Sequence, residues 1–466
     1  MTNFLPRCAV SVMRFPHRVS AGLALLRALA FGGAFCARLA AGAPPIRPEP
    51  KMSWLDNGTI RLGVDLQVGG AITWLSRSGD AANLVNGFDW GRQIQMSYYA
   101  GPVPFIAGNK RPAKNWEGLG WNPIQVGDDF GHRAQVLEER NDGHSLYVKC
   151  IPMQWPLDDV PGECTFESWL ELEGAAVHAR CRLVNARADH TLYPARGQEL
   201  PAVYTNGPWN RIVTYTGAKP FTNDAVTELA PKPPPQWDAW DATESWSALV
   251  DAAGSGLGVW NPGCLHFVGG FNGKPGAGGP QDSACGYLAP GRLEILDHNI
   301  THEYRYDLVV GTVEEIRAHV YRQPRPAFVE WRFKADRQGW RWERATDAGW
   351  PIRGELAVQL TEDDPALVSP RFVAAAETAP VLVIEAAFAN VAAPRAQIFW
   401  SSLEKPGFAE SRSIRFEGKS DDAFHEYRIR LADSPEYRGA ITQVRFDPAD
   451  NAGGAVRVRA IRFAGE

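Results

Sequence analysis

One carboxylate, Glu199, sits in the stretch 196–215, RGQELPAVYTNGPWNRIVTY, among Gln198, Tyr204, Asn206, Trp209, Asn210 and Arg211. A sugar presents apolar ring faces edged by hydroxyl groups, so a pocket for it needs flat aromatics to stack on and amides, guanidinium and carboxylate to bond the rim. In such a pocket Glu199 could also move protons as a general acid or base. The competing use of a lone Glu at a strand end is a cap or an ion pair. Strict alternation puts Leu200, Ala202 and Tyr204 on one face and Glu199, Pro201 and Val203 on the other, and Pro201 argues for an edge or a break.

The elements around this stretch are strands. IRLGVDL (60–66), LYVKCIPMQW (146–155), FESWLELEG (166–174) and VHARCRLVN (177–185) alternate apolar and polar residues, the pattern of strands buried on one face. In VHARCRLVN the inward set is Val177, Ala179, Cys181 and Leu183, which leaves His178 outward and solvated. Between the strands lie three aromatic-rich, loop-like stretches, 83–101, 109–132 (with Trp121) and 231–246, and long loops of that kind are more often binding surface than filler. One helix is predicted, VEEIRAHVY (313–321), opened by a capping box of Thr312 and Glu315. The prolines of RQPRPAF (322–328) then read as a linker, beyond which strands such as HEYRIRL and TQVRF form a second β unit. Trp400 and Phe408 in that unit are candidates for a sugar face or for packing.

The chain has 466 residues, 45% of them hydrophobic and 22% charged, which is globular material for two domains. A net charge of -5 lacks the electrostatic footprint of a nucleic-acid binder. Its 17 Trp, 45 Gly and 35 Pro suit aromatic-lined strands joined by many turns, so the expected class is all-β. Residues 1–43 read as an export signal, with basic residues before a small-apolar run that is too short and broken to span a membrane, and Ala41-Gly42-Ala43 as the cleavage site. The mature chain is therefore expected to be secreted or periplasmic. An oxidising compartment would allow disulfides among the remaining five cysteines, with Cys264 and Cys285 the first pair to test. Cys150 and Cys181 read equally well as buried thiols. No Cys or His spacing suggests zinc.

The segment NLVNGFDWGRQIQ (83–95) resembles the stretch of galactose mutarotases in which an NxxxGFD segment runs into a GR turn. The strand series up to YRYDLVVGT (304–312) is similar to the β-supersandwich of that superfamily, which includes mutarotases, lyases and hydrolases. The resemblance implies a supersandwich over 51–325, with Arg92 facing a sugar. The mutarotases' histidine element is replaced here by NWEGLGWNPIQVGDDFGHRAQV (115–136), which argues against a simple aldose mutarotase. The C-terminal stretch from IFWSSLEKPGF onward is similar to small jelly-roll domains found beside bacterial glycan-degrading enzymes, which implies a β-sandwich over 326–466.

Hydrolysis of a glycosidic bond needs two carboxyl groups. The expected site pairs Glu199 with Asp129, with His132 nearby, and binds substrate through Arg92, Gln198, Tyr204, Trp209, Asn210 and Trp121. A glycoside hydrolase is the leading expectation. A lyase would use His132 or Tyr204 as base with Arg92 neutralising a uronate, and a scaffold that only binds glycan is the third reading. Few lysines and arginines cluster near these loops, which disfavours a strongly anionic substrate. No cofactor is expected, although Asp128 and Asp129 suit a structural Ca2+ as well as a turn cap.

Overall fold

The computed structural model describes residues 49–466 apart from 234–235, 298–299, 349–350 and 393. The export signal expected at 1–43 lies outside the described residues. Everything but the helix Val313–Arg322 and a few short turns is strand or loop, and every strand pair is antiparallel.

The strands up to Thr312 form two sheets. A ten-stranded sheet runs, in order, through Met52–Asp56, Ile60–Asp65, Ala71–Arg77, Ile94–Ser97, Arg196–Asn206, Cys285–Glu294, His266–Asn272 and Asp238–Asp241, with two short strands alongside. A nine-stranded sheet runs from Thr227–Leu229 to Gln135–Asn141, with Thr301–Thr312 and Ala176–Asn185 at its middle. One core joins the two, because Leu62, Ile94, Leu200 and Val203 of the first sheet pack with Phe166, Val177, Cys181 and Leu308 of the second. Burying each such side chain contributes about 1.5–3 kcal/mol, which is what the alternation in sequence encodes. Residues from Glu330 onward make two six-stranded sheets around a second core that includes Leu382, Ile398, Trp400, Phe446 and Ile461. Trp400 is fully buried there, so it packs the core and faces no ligand.

The helix begins as the sequence reads it, with Thr312 Oγ1 accepting from the Glu315 N–H and the Glu315 carboxylate accepting from the Thr312 N–H. It docks on the nine-stranded sheet through Ile316 and Val320. His178 points outward as expected but is half-buried and paired rather than free in solvent. Its Nδ1 meets Asp307 at 2.9 Å and its Nε2 meets Glu173 at 3.2 Å.

The five described cysteines are all buried and form no disulfide with one another. Cys264 belongs to the core between the sheets, whereas Cys285 belongs to a cluster on the opposite face of the ten-stranded sheet, so the sheet separates the pair expected to bridge.

The two sheet pairs are tied by buried charge. Arg337, which is fully buried, donates to Asp297 of the first pair at 2.8 Å and also to Asp347. Arg371 bonds Asp241 across the same seam.

Candidate active site

The outer face of the ten-stranded sheet carries the site, and a bulge in Arg196–Asn206 decides which residues reach it. Pairing to both neighbours shifts between Glu199 and Val203. The extra residue there breaks the strict alternation expected from sequence, since a bulge re-aims the side chains on either side of it. Leu200 and Val203 consequently both face the core, while Glu199, Ala202 and Tyr204 share the outer face.

Glu199 opens onto a cavity of about 430 Å³ at the seam between the two sheet pairs. The hydroxyls of Tyr99 (3.0 Å) and Tyr287 donate to its two carboxylate oxygens. Burial pushes the Glu199 carboxyl up from the usual glutamate value, and the two phenols hold it back only in part. Burial and the Glu199 charge push Tyr287 well above the usual phenol range, so it remains a proton donor. Tyr287 also packs on Tyr204, tilted by 32° at 4.8 Å between ring centres, and meets Trp237 edge-on at 5.2 Å, so the two lining phenols Tyr99 and Tyr287 are backed by further aromatics.

The sheet register places a second proton-transfer group opposite. Glu199 pairs with Gly291, Gly291 with His266, and His266 with Asp241, so the four stand in one row across four adjacent strands. Residues directly opposite one another in antiparallel strands point to the same face, and strands lie about 4.8 Å apart, so Glu199 and His266 are about 10 Å apart at Cα. Gly291 leaves the space between them open. A Cβ there would meet nothing closer than the Gln198 carbonyl at 3.5 Å, and a longer side chain would project into the cavity.

His266 Nδ1 lies 3.3 Å from Asp241, and its Nε2 has no protein hydrogen-bond partner. A carboxylate only accepts, so the neutral imidazole carries its proton on Nδ1 and keeps an Nε2 lone pair without a protein partner. The row therefore sets a carboxyl pushed toward its acid form by burial opposite an imidazole whose Nδ1 is tied to Asp241.

Four arginines line the same cavity: Arg196 and Arg292 from the first sheet pair, Arg341 and Arg371 from the second. Arg292 and His302 flank Glu294; burial alone would raise that carboxyl, and the arginine beside it brings it down to about 2. Arg196 donates to the Gly118 carbonyl at 2.7 Å.

The other residues expected to form the site are placed differently. Gln198 lines the cavity, but its amide is committed to the backbone of Tyr99 at 2.8 Å in both directions. Arg92 is buried with Asn86, Asp89 and the Ser283 carbonyl and does not line the cavity. Trp121 is fully buried in the core beneath Arg187. Trp209 packs against the core, and the Asn210 amide closes its own turn onto the Gly207 and Pro208 carbonyls.

Asp129 accepts from the Trp116 indole at 3.2 Å, and His132 bonds Asp128 at 2.9 Å; neither residue lines the cavity. Asp128 behaves as a turn cap, accepting the N–H groups of Phe130, Gly131, His132 and Asp159. Asp128, His132 and Asp158 bring ligand atoms within 4.8 Å of one another, as do His178, Asp307 and His319.

No protein-family model matches this chain, and no curated protein matches it in sequence. Several of the solved structures similar to it are described as galactose mutarotase-like. A galactose mutarotase related enzyme from Lactobacillus acidophilus is 8% identical, over 56% of this chain and 97% of that one, with a TM-score of 0.37. A galactose mutarotase-like protein from Lactobacillus casei is 9% identical, over 56% of this chain and 99% of that one, at 0.35. A low affinity xylan binding module from Roseburia intestinalis is 12% identical, over 30% of this chain and 96% of its own length, at 0.22. Among the described residues no helix is long and apolar enough to cross a membrane.

Proposed function

We propose that this chain is an exported carbohydrate-active enzyme that moves a proton on a sugar held between Glu199 and His266. The observation that carries this reading is the row Glu199, Gly291, His266, Asp241, which sets an acid and a base on opposite sides of an aromatic-walled gap. His266 Nε2 takes a proton from the sugar and Glu199 returns one to an oxygen, while Tyr99 and Tyr287 stabilise the carboxylate that Glu199 becomes. Hydrolysis by a carboxylate pair needs a second carboxyl group across the bond, and among the described residues Glu199 is the one carboxylate in the lining of this cavity. The geometry therefore favours proton abstraction and return, the chemistry of a lyase, over the two-carboxylate hydrolase expected from sequence.

The test is a panel of polysaccharides, read for new reducing ends and for absorbance of unsaturated products. Glu199→Gln keeps size and most hydrogen bonds but cannot donate the proton, so activity should fall about 100-fold or more. Activity in that variant equal to wild type would remove the row from the mechanism.

A further inference from the structure

The charges of the cavity say more about its ligand than its shape does. Glu199, the single lining carboxylate among the described residues, is pushed toward its neutral form by burial, while four guanidinium groups line the same space. Two of these are answered at close range, Arg292 by Glu294 and Arg371 by Asp241. Arg341 is nearly buried, and its counter-charge, Glu343, lies 3.5 Å away with a side chain 39% exposed to water. Burial depresses the Arg341 guanidinium, and Glu343 offsets this only in part. Arg371 also keeps a buried Nε–H with no protein acceptor. Guanidinium donors that the protein itself satisfies poorly, on residues lining a cavity beside an acid and a base, call for an anionic acceptor.

We propose that the cavity takes an acidic sugar, whose anionic substituent is held by Arg341 and Arg371 of the second sheet pair above the Glu199–His266 row. This rests on the proton-transfer reading above and names its substrate class. The second sheet pair then completes the active site, and the seam salt bridges Arg337–Asp297 and Arg371–Asp241 keep the arginines in place. For a uronate the chemistry follows directly. His266 removes the ring proton next to the carboxylate, the C–H electrons form the new C=C bond as the C–O bond to the neighbouring sugar breaks, and Glu199 protonates the departing oxygen. The arginines stabilise the charge that gathers on the carboxylate meanwhile.

The experiment is calorimetric titration of the full chain with glucuronate, glucose 6-sulfate and glucose, and with galacturonate and galactose, at low and high salt. An acidic sugar should bind about tenfold or more tightly than its neutral counterpart, with the advantage shrinking in salt. Uronate preferred over sulfate identifies a carboxylate site, and the reverse a sulfate site. Arg341→Gln should remove the advantage and leave neutral-sugar affinity unchanged, and Arg341→Lys should restore part of it. Gly291→Val should block every sugar without disturbing the fold, which checks that binding is in this cavity. Neutral sugars bound as tightly as acidic ones would overturn the anion site while leaving the proton-transfer reading intact. Failure of all of them to bind would overturn both.

Discussion

Two of the molecule's histidine–aspartate clusters, one at the helix and one at the cavity, are finished differently. At the helix, Asp307 gives one oxygen to His178 at 2.9 Å and the other to His319 at 2.7 Å, and His178 Nε2, though not hydrogen-bonded, lies 3.2 Å from the Glu173 carboxylate as an ion-pair contact. At the cavity, Asp241 gives one oxygen to His266 and the other to Arg371, and His266 leaves its second nitrogen without a protein partner. The first arrangement spends its hydrogen bonds joining a helix to a sheet. The second spends them orienting one imidazole and stops short of satisfying it. The chemistry of a cluster is read from the valence left over after the fold is held together, more than from the residue types present.

Substitution should separate the two. Asp307→Ala leaves two imidazoles without the carboxylate that both face, and breaking a buried charge network costs about 3–5 kcal/mol. Thermal unfolding should show that loss, with turnover unchanged at temperatures where the variant is folded. Asp241→Asn should act on the other axis. An amide can donate to Nδ1 and thereby favour the wrong imidazole tautomer, so turnover should drop about 100-fold, equivalent to about 2.7 kcal/mol of barrier. Because Asp241 acts through His266, the loss should appear in kcat more than in KM and should shift the alkaline or acid limb of the pH profile. Equal losses of stability in the two variants, with no change in turnover, would erase the distinction between the clusters.

Sequence reading reached the strands and Glu199 because each is encoded locally. Alternation over 177–183 states which side is buried, and the crowd of aromatics and amides around Glu199 marks it. His266, Asp241 and Gly291 were missed because a row across a sheet is written in register, and register joins residues that are 25 to 92 positions apart in this chain. The one local signal was His266 leading FVGGF, which the Gly-rich context obscured. Asp241 lay in the stretch 231–246, expected to be loop; the structure makes Asp238–Asp241 a strand and buries Trp240 and Trp246 in cores. The scarcity of basic residues near the loops was read from the first sheet pair alone, and Arg341 and Arg371 reach the cavity from the second. Arg92 and Asp128 illustrate the converse, polar residues in striking company whose hydrogen bonds are consumed by their own loops.

Trp209 sharpens this point at a smaller scale. It was expected to stack on sugar, but it packs against the core and its carbonyl accepts from Thr205. Full removal of a core aromatic costs about 3–5 kcal/mol, and a partly buried one less, so Trp209→Ala should lower stability by about 2 kcal/mol. Sugar affinity should be unchanged in titration; a selective loss of affinity would return Trp209 to the site.

The smallest expected effect is a difference of sign in pH dependence. For Asp307, burial alone would raise the carboxyl, but the bonds from His178 and His319 outweigh it and the group ends below the usual value of 3.8. Its contribution to stability is therefore present above that value and lost as pH falls through the lower, folded pKa. Glu199 runs the other way: its folded pKa lies above the usual value of 4.5, so the folded state holds the proton longer than the unfolded chain. Its contribution is present below 4.5 and is lost as pH rises through the raised pKa. Denaturant unfolding of Glu199→Gln against wild type should show the variant gaining relative stability as pH increases over that interval, whereas Asp307→Asn should narrow its deficit as pH decreases. A Glu199→Gln difference that stays flat with pH would mean that the carboxyl titrates normally at the cavity floor, and Glu199 would then serve as a base there and leave the acid's role to another group.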